Sequence, residues 1–528
     1  MDRLILQRLD EMTAQEGPGP RAALRRLAVC RGGFTTEAAA AILDLEEAAL
    51  DELLATLRGW QFVTLQSAND HQRARYLIDP LVAAAVGIDE DAYPAFYDYY
   101  EGLARRHRDA GDYSGLEPEL PNLQAAFDWS LAQDAAAAYW LYTACGDFLL
   151  TSGHPEEHID WIRRVSAAAG GHSDQYLHGA VHNSLGVAYQ NSPAGDRREN
   201  LLSAIAAYQE ALRSHTPTVA PLSYAVAQHN LGTAYADLAQ IEDRLGNLTR
   251  AVAAYQEALK HRTPEQGPPA YAATQNVLGL AYRALAGVED RIPNLRRAVE
   301  AHQNALRFYP PQMMPQEYAA TQNNLGNAYR DLAGAEDTGR NLQRAIDAYQ
   351  EALRIHTPYT SPLAYAAAKN NLGTAYRALA NIQDPTSNLR RAIGAFEDAL
   401  RYYTSQHSPS DYAAVRNNLG SAYRALAVTL DETFFLERAI EAFEEALRHY
   451  TPQRDPLNYA KTQANLGLAR EDLGDTDQAL ACWREAVRYF QQMGQFDTAE
   501  SISAWIVRAE TGRGGSGTGP TAEESDLP

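Results

Sequence analysis

The stretch NNLGNAYRDLA, from Asn323 to Ala333, decides how this chain folds. Alone it is a weak helix former, because glycine in a helix interior costs about 1 kcal/mol relative to alanine. Near-copies nonetheless recur as HNLGTAYADLA, NVLGLAYRALA, NNLGTAYRALA, NNLGSAYRALA and ANLGLAREDLG. The Leu-Gly pair falls at Gly186, Gly232, Gly279, Gly326, Gly373, Gly420 and Gly467, in steps of 46 and then 47 five times over. A fixed period of this size marks stacked supersecondary units, none of which can bury its apolar face alone.

Working outward from Gly326, Tyr318, Leu325, Tyr329 and Leu332 recur at helical spacing with small Ala319 and Ala328 beside them, which predicts a helix A. About twenty residues on, Leu342, Ala345, Ile346, Tyr349, Ala352 and Leu353 make a second apolar stripe, helix B. Asn200, Asn247, Asn294, Asn341 and Asn388 stand where an N-cap of helix B is expected, and prolines punctuate the link to the next pair. The absent side chain of each repeated glycine lets helices A and B approach closely, so the glycine is read as a packing device.

Leu325-Gly326, Tyr329, Ala345, Tyr349, Ala352 and Pro358 together resemble the tetratricopeptide repeat, over roughly residues 171–510. The resemblance implies an all-α solenoid, a right-handed superhelix of helix pairs with seven repeats. The repeat departs from the family in its period, in Gln275, Gln322 or Lys369 at the opening aromatic position, and in Arg470 where tyrosine is expected. Such extended repeats are similar to those of kinesin light chains and of bacterial arrays attached to CHAT domains.

Before the array, residues 1–88 read as a small domain of its own. Two short helices, a third in DLEEAALDELLATLRGW and two strands around a polar tip make a winged-helix-like pattern. This segment resembles the one that follows the nucleotide-binding switch in STAND-class regulators, with Asp79 where that family often has histidine. Residues 89–170 form a helical connector, with Asn122, Leu123 and Trp129 as a degenerate helix B and an irregular pair from Ala135 to Ala169. Residues 511–528, small and polar, are expected to be disordered.

The 528 residues carry a formal charge of -21 and are 45% apolar, which suits sizeable cores and argues against polyanion binding. The presumed recognition helix itself bears Glu46, Glu47, Asp51 and Glu52, so no nucleic-acid partner is expected. Cys30, Cys145 and Cys482 share no metal or redox spacing, and neither a signal peptide nor a membrane span is read, so a monomeric cytoplasmic protein is expected. A phosphate-cradling GxxxxGK[ST] loop is missing, and no separate domain carries a His/Cys pair. The chain is therefore read as no enzyme, with no cofactor, catalytic residue or metal. His215, His261 and His356 near the ends of B helices are expected to meet terminal carbonyls.

Function is expected on the stripe of helix A not used for packing. The fourth copy offers Ala320, Asn323, Asn324, Asn327 and Arg330; the fifth Ala367, Asn370, Asn371, Thr374 and Arg377; the sixth Ala414, Asn417, Asn418, Ser421 and Arg424. Asn276, Arg283 and Asn465 extend the set, as does Asn230, while Val277 interrupts it. In tetratricopeptide superhelices this face lines the concave groove, and the asparagine row resembles those whose amides hold an extended peptide backbone. An amide offers donor and acceptor to any peptide unit, and the arginine row adds attraction for an acidic peptide or protein ligand. The alternative is that the asparagines bond between adjacent helices and the arginines solvate the groove. The leading reading is a scaffold or sensor; a winged-helix transcriptional regulator, or the sensor arm of a STAND ATPase or CHAT protease acting in trans, are the alternatives.

Overall fold

The computed structural model describes residues 2–66, 74–169 and 174–512. The expected polar tip between the strands and residues 513–528 of the expected disordered tail lie outside them. The chain divides into two compact units, Met1–His261 and Arg262–Pro528.

The first unit opens with α1 (Asp2–Glu16), α2 (Gly19–Leu27), α3 (Thr36–Leu43) and α4 (Glu47–Gly59). The antiparallel pair β1 (Val63–Gln66) and β2 (Arg75–Ile78) follows, with Val63 opposite Ile78, and Phe34 bridges to Tyr76. The three helices and two strands read from the sequence are thus present, and α1, which buries Leu9 and Met12, adds to them. Asp79 caps α5 (Pro80–Val86), its Oδ1 accepting from the Leu81 amide at 2.8 Å. Next come α6 (Tyr93–Ala110), α7 (Leu120–Gln133) and the irregular pair α8 (Ala135–Thr151) and α9 (Pro155–Ala169). The first repeats, α10 (Gln175–Asn191) with α11 (Arg197–Ser214) and α12 (Pro221–Leu238) with α13 (Arg244–Leu259), complete this unit.

A buried polar clamp fixes the hairpin to the connector. The fully buried Asn122 accepts from the Gly32 amide at 3.0 Å, and its Nδ2, with two hydrogens shared among three acceptors, lies 2.8–3.0 Å from the Gly33 carbonyl, the Tyr100 hydroxyl and Glu119. Arg75 from β2 pairs with Glu119 and donates to the Gly32 and Gly33 carbonyls at 2.8 and 3.1 Å. Every member has a partner, the condition under which a buried network holds one conformation. Asn122, expected as a remnant of helix B, is the centre of this joint.

The second unit continues with α14 (Pro268–Leu285) and α15 (Arg291–Leu306), α16 (Pro315–Ala333) and α17 (Thr338–Leu353), and α18 (Pro362–Ala380) and α19 (Pro385–Ala399). It ends with α20 (Pro409–Leu430) and α21 (Thr433–Leu447), α22 (Pro456–Asp472) and α23 (Thr476–Gln492), and a single α24 (Phe496–Gly512). The architecture is an all-α solenoid of consecutive A and B helices. From α12 onward every A helix begins on proline, whose missing amide hydrogen has no intrahelical role at that position.

The repeated glycine is the seat of the helix-B aromatic. A Cβ on Gly326 would lie 2.5 Å from Tyr349 Cε1, and the same seat holds Tyr208, Tyr255, His302, Phe396, Phe443 and Trp483 against their glycines. Helix-B arginines lie over the helix-A tyrosines in turn, Arg344 at 5.5 Å from the Tyr329 ring and Arg391 at 5.7 Å from Tyr376. Between pairs, Gln303 and Gln350 donate to the Tyr329 and Tyr376 hydroxyls at 2.8 and 3.0 Å. Arg470, the departure from the pattern, meets Glu444 at 2.7 Å at the corresponding joint, so an ion pair replaces the tyrosine contact. The missing opening aromatic is also accounted for: Gln275 and Gln322 donate to Tyr271 and Tyr318 one turn earlier.

Two expectations are corrected. The N-caps of the B helices are Asp196, Asp243, Asp290, Asp337 and Asp384, the last four in the left-handed region that aspartate tolerates. Asn247, Asn294, Asn341 and Asn388 lie buried one turn inside, each donating to the carbonyl five residues earlier at 2.8–3.0 Å. Asn200 similarly donates to the Ala194 carbonyl at 2.7 Å. They close the corner and do not cap the helix. The histidines do not meet terminal carbonyls of their own helices either: His215 bonds the Tyr176 carbonyl of helix A at 3.1 Å, His356 meets Ser361, and His261 packs edge-on against Tyr224.

Candidate interaction face on the A helices

Why two asparagines stand side by side follows from how neighbouring A helices meet. Asn324 donates back to Asn276 at 3.3 Å, Asn371 to Asn323 at 3.1 Å, Asn418 to Asn370 at 3.0 Å and Asn465 to Asn417 at 3.4 Å. The second asparagine of each pair is thus a donor to the preceding repeat, and the first is an acceptor for the next. The contact joins residues 48 apart, one more than the period, so non-equivalent positions meet. The row starts at Asn276, beside Val277, and ends at Asn465, beside Ala464. In the first unit Asn230 donates to Asn183 at 3.1 Å in the same manner.

These bonds follow the alternative reading, amides tying adjacent helices, and they use one amide hydrogen or one carbonyl lone pair of each residue. Asn323, Asn324, Asn370, Asn371, Asn417 and Asn418 remain half-buried, with exposed Ala320 and half-buried Ala367 and Ala414 one turn away. Asn327 belongs elsewhere: its Oδ1 accepts from the Tyr349 hydroxyl at 2.8 Å, so it secures the core aromatic and does not join the row. Asn276 likewise meets His302 Nδ1 at 3.0 Å.

The arginine row is largely neutralised from within. Arg283 Nε donates to Asp331 and Arg424 Nε to Asp472, both at 2.6 Å and both 48 residues on, while Arg330 pairs with Asp331 at 3.1 Å. Arg377 lies on α18 at the matching position; 48 residues on from Arg330 and Arg377 stand Ala378 and Ala425, so the aspartate serves Arg283 and Arg424 in this manner. The expected attraction for an acidic ligand is weakened accordingly, because a guanidinium already paired offers little net charge to a partner. The sequence reading missed the aspartates, although Asp331 and Asp472 were visible directly after the arginine register.

Among the described residues no group of three or more His, Cys, Asp or Glu is placed to hold a metal ion, and no helix is long and apolar enough to cross a membrane. Burial pushes the Cys30 and Cys145 thiols far up and Cys482 to about 11.

No curated protein matches the chain. Among solved structures, BtubC from P. vanneervenii is 23% identical over 53% of this chain and 97% of its own, with a TM-score of 0.34. The STAND protein with a tetratricopeptide repeat sensor from Pyrococcus horikoshii is 13% identical over 80% of this chain and 64% of its own, with a TM-score of 0.39. The quorum sensor NprR from B. thuringiensis is 12% identical over 76% and 99%, with a TM-score of 0.42. Residues 232–260 match the tetratricopeptide repeat family profile. That window runs from a seat glycine through its helix B, and the other pairs repeat its register, so the helix pairs of this chain are tetratricopeptide repeats of extended length.

Proposed function

We propose that the chain is a non-enzymatic protein-interaction scaffold or sensor that receives a peptide or protein on its A-helix face. The observation that supports this reading is the half-buried amide row itself. The repeated asparagines are held by one another in fixed orientation, each with donor or acceptor capacity left over, beside alanines small enough for a backbone to approach. An amide reads a peptide unit without regard to its side chain, and a preorganised row of them loses little entropy on binding. The ligand is recognised on this face mainly through its backbone, since Asp331 and Asp472 already take up most of the arginine charge. The N-terminal winged-helix-like segment acts as a docked mount: exposed Glu46, Glu47, Asp51 and Glu52 on and beside α4 repel phosphate.

The test is capture of partners from the host by wild type and by a chain carrying Ala320→Glu, Ala367→Glu and Ala414→Glu, with Arg390→Glu on exposed helix B as control. Partners lost only from the first variant, at an unchanged melting temperature, support the reading. Partners retained by it refute the A-helix face as the site.

A further inference from the structure

Three corners precede an A helix that carries an aspartate near its end, Asp237, Asp331 or Asp472, and among these three there is a pattern and an exception. Arg197, opening α11, reaches Asp237 near the end of α12 at 3.1 Å, forty positions on. Arg291, opening α15, donates to the Asp331 carbonyl near the end of α16 at 3.5 Å, again forty positions on. Beside them Arg198 pairs with Glu242 and Arg296 with Glu336, both at 2.6 Å. At these joints the chain's own arginines meet the acidic end of the next A helix.

The sixth corner reverses the sign. Glu432 stands forty positions before Asp472, as Arg197 and Arg291 stand before Asp237 and Asp331, and Glu437 stands in the register of Arg296; at the intervening corners Thr338 and Pro385 stand likewise before Ala378 and Ala425, with no aspartate to meet. The result is an open cleft of about 510 Å³ whose acidic lining is Asp431, Glu432, Glu471 and Asp472, with no lysine or arginine among its described lining residues. Asp472 is held from behind by Arg424 at 2.6 Å, as Asp331 is by Arg283. Glu471 Oε2 is shielded from solvent and accepts no hydrogen bond. Val428 and Leu473, 52% and 39% exposed, form apolar walls over buried Leu436.

We propose that this cleft binds an arginine side chain of a partner protein, which takes the place left by the missing internal arginine, with an adjacent apolar residue on Val428 and Leu473. The sister joints show the chemistry in the chain's own residues: a guanidinium from one side, a carboxylate or carbonyl at the end of an A helix from the other. Glu471 and Glu432 offer planar, acceptor-only groups suited to a guanidinium's fixed fork of donors, with Asp472, already held by Arg424, beside them. A carboxylate left without a hydrogen bond while shielded from solvent is satisfied by the same donor. The site is separate from the A-helix face and selects the opposite kind of group, a cationic side chain instead of a backbone.

The experiment is selection of a phage-displayed random peptide library on the full chain, followed by affinity measurement against wild type and variants. Recovered peptides are expected to carry an arginine next to an apolar residue and to weaken about tenfold or more when that arginine is replaced by alanine. Glu432→Arg, which restores the internal arginine, should abolish their binding and raise the melting temperature; Glu471→Gln should weaken it without refolding the corner. The same peptides should bind the Ala320, Ala367 and Ala414 variant unchanged, which separates this site from the A-helix face. Recovery of no arginine-bearing peptide sensitive to Glu432→Arg overturns the proposal.

Discussion

Replacing Gly326 by alanine sets helix propensity against packing in one substitution. Propensity alone favours alanine by about 1 kcal/mol in a helix interior. The new methyl, however, would stand 2.5, 2.7 and 2.9 Å from Cε1, Cδ1 and Cζ of Tyr349. That ring is fully buried, and its hydroxyl donates to Asn327 at 2.8 Å, so it has no free direction in which to retreat. Overpacking costs about 1–3 kcal/mol, and straining the Tyr349 hydrogen bond adds about 1 kcal/mol. Against the propensity gain of about 1 kcal/mol, a net loss of about 1–3 kcal/mol remains. Gly394, inside α19, isolates the propensity term, because a methyl added there would meet nothing within 4 Å. Gly394→Ala should therefore stabilise by up to about 1 kcal/mol. Urea denaturation of both variants gives the comparison, and the pair Gly326→Ala with Tyr349→Ala should show coupling, because removing the ring removes the clash. If Gly326→Ala stabilises as Gly394→Ala does, the seat account is wrong.

Three further outcomes are expected. Replacing Asn324, Asn371 and Asn418 together by alanine should lower stability by about 2–3 kcal/mol, since each loses a bond to the preceding repeat; an unchanged denaturation midpoint would contradict the amide row. Burial, and then Arg283, hold His302 down to about 3, so the unfolded chain binds the extra proton as pH falls below the ordinary histidine value. That stability is complete above about pH 6.5 and shrinks toward pH 3, by about 2 kcal/mol between pH 7 and 5, and His302→Phe should remove this part of the acid sensitivity in melts across the range. Asp243→Ala should cost about 2–3 kcal/mol, because it removes the acceptor for the Gly246 amide and forces alanine into a left-handed conformation, whereas Asp243→Asn should be nearly neutral by the same melt.

The helix pairs were legible in the sequence because glycine, aromatic and small residues recur at one spacing, and only close packing of A on B explains that recurrence. The inter-repeat chemistry was less legible. A stripe of asparagines says which helix face it occupies but not the offset at which the next helix arrives, and an offset of 48 against a period of 47 turns an apparent row of equivalents into donor and acceptor pairs. The N-cap assignment failed for a similar reason: Asp243 and Asn247 are both residue types that cap, and only the path of the corner places the aspartate first. Asn122 carried the family's asparagine signal, yet of its partners Gly32, Gly33 and Tyr100 lie far off in sequence and Glu119 reads as an ordinary surface carboxylate.

The central claim, that a partner lies on the A-helix face, is tested most directly by photo-crosslinking in the host from an aryl-azide or benzophenone residue placed at Ala320, Ala367 or Ala414. The account predicts one shared partner crosslinked from all three positions and none from Arg390 on exposed helix B. Crosslinks that arise from Arg390 and not from the three alanines would contradict it.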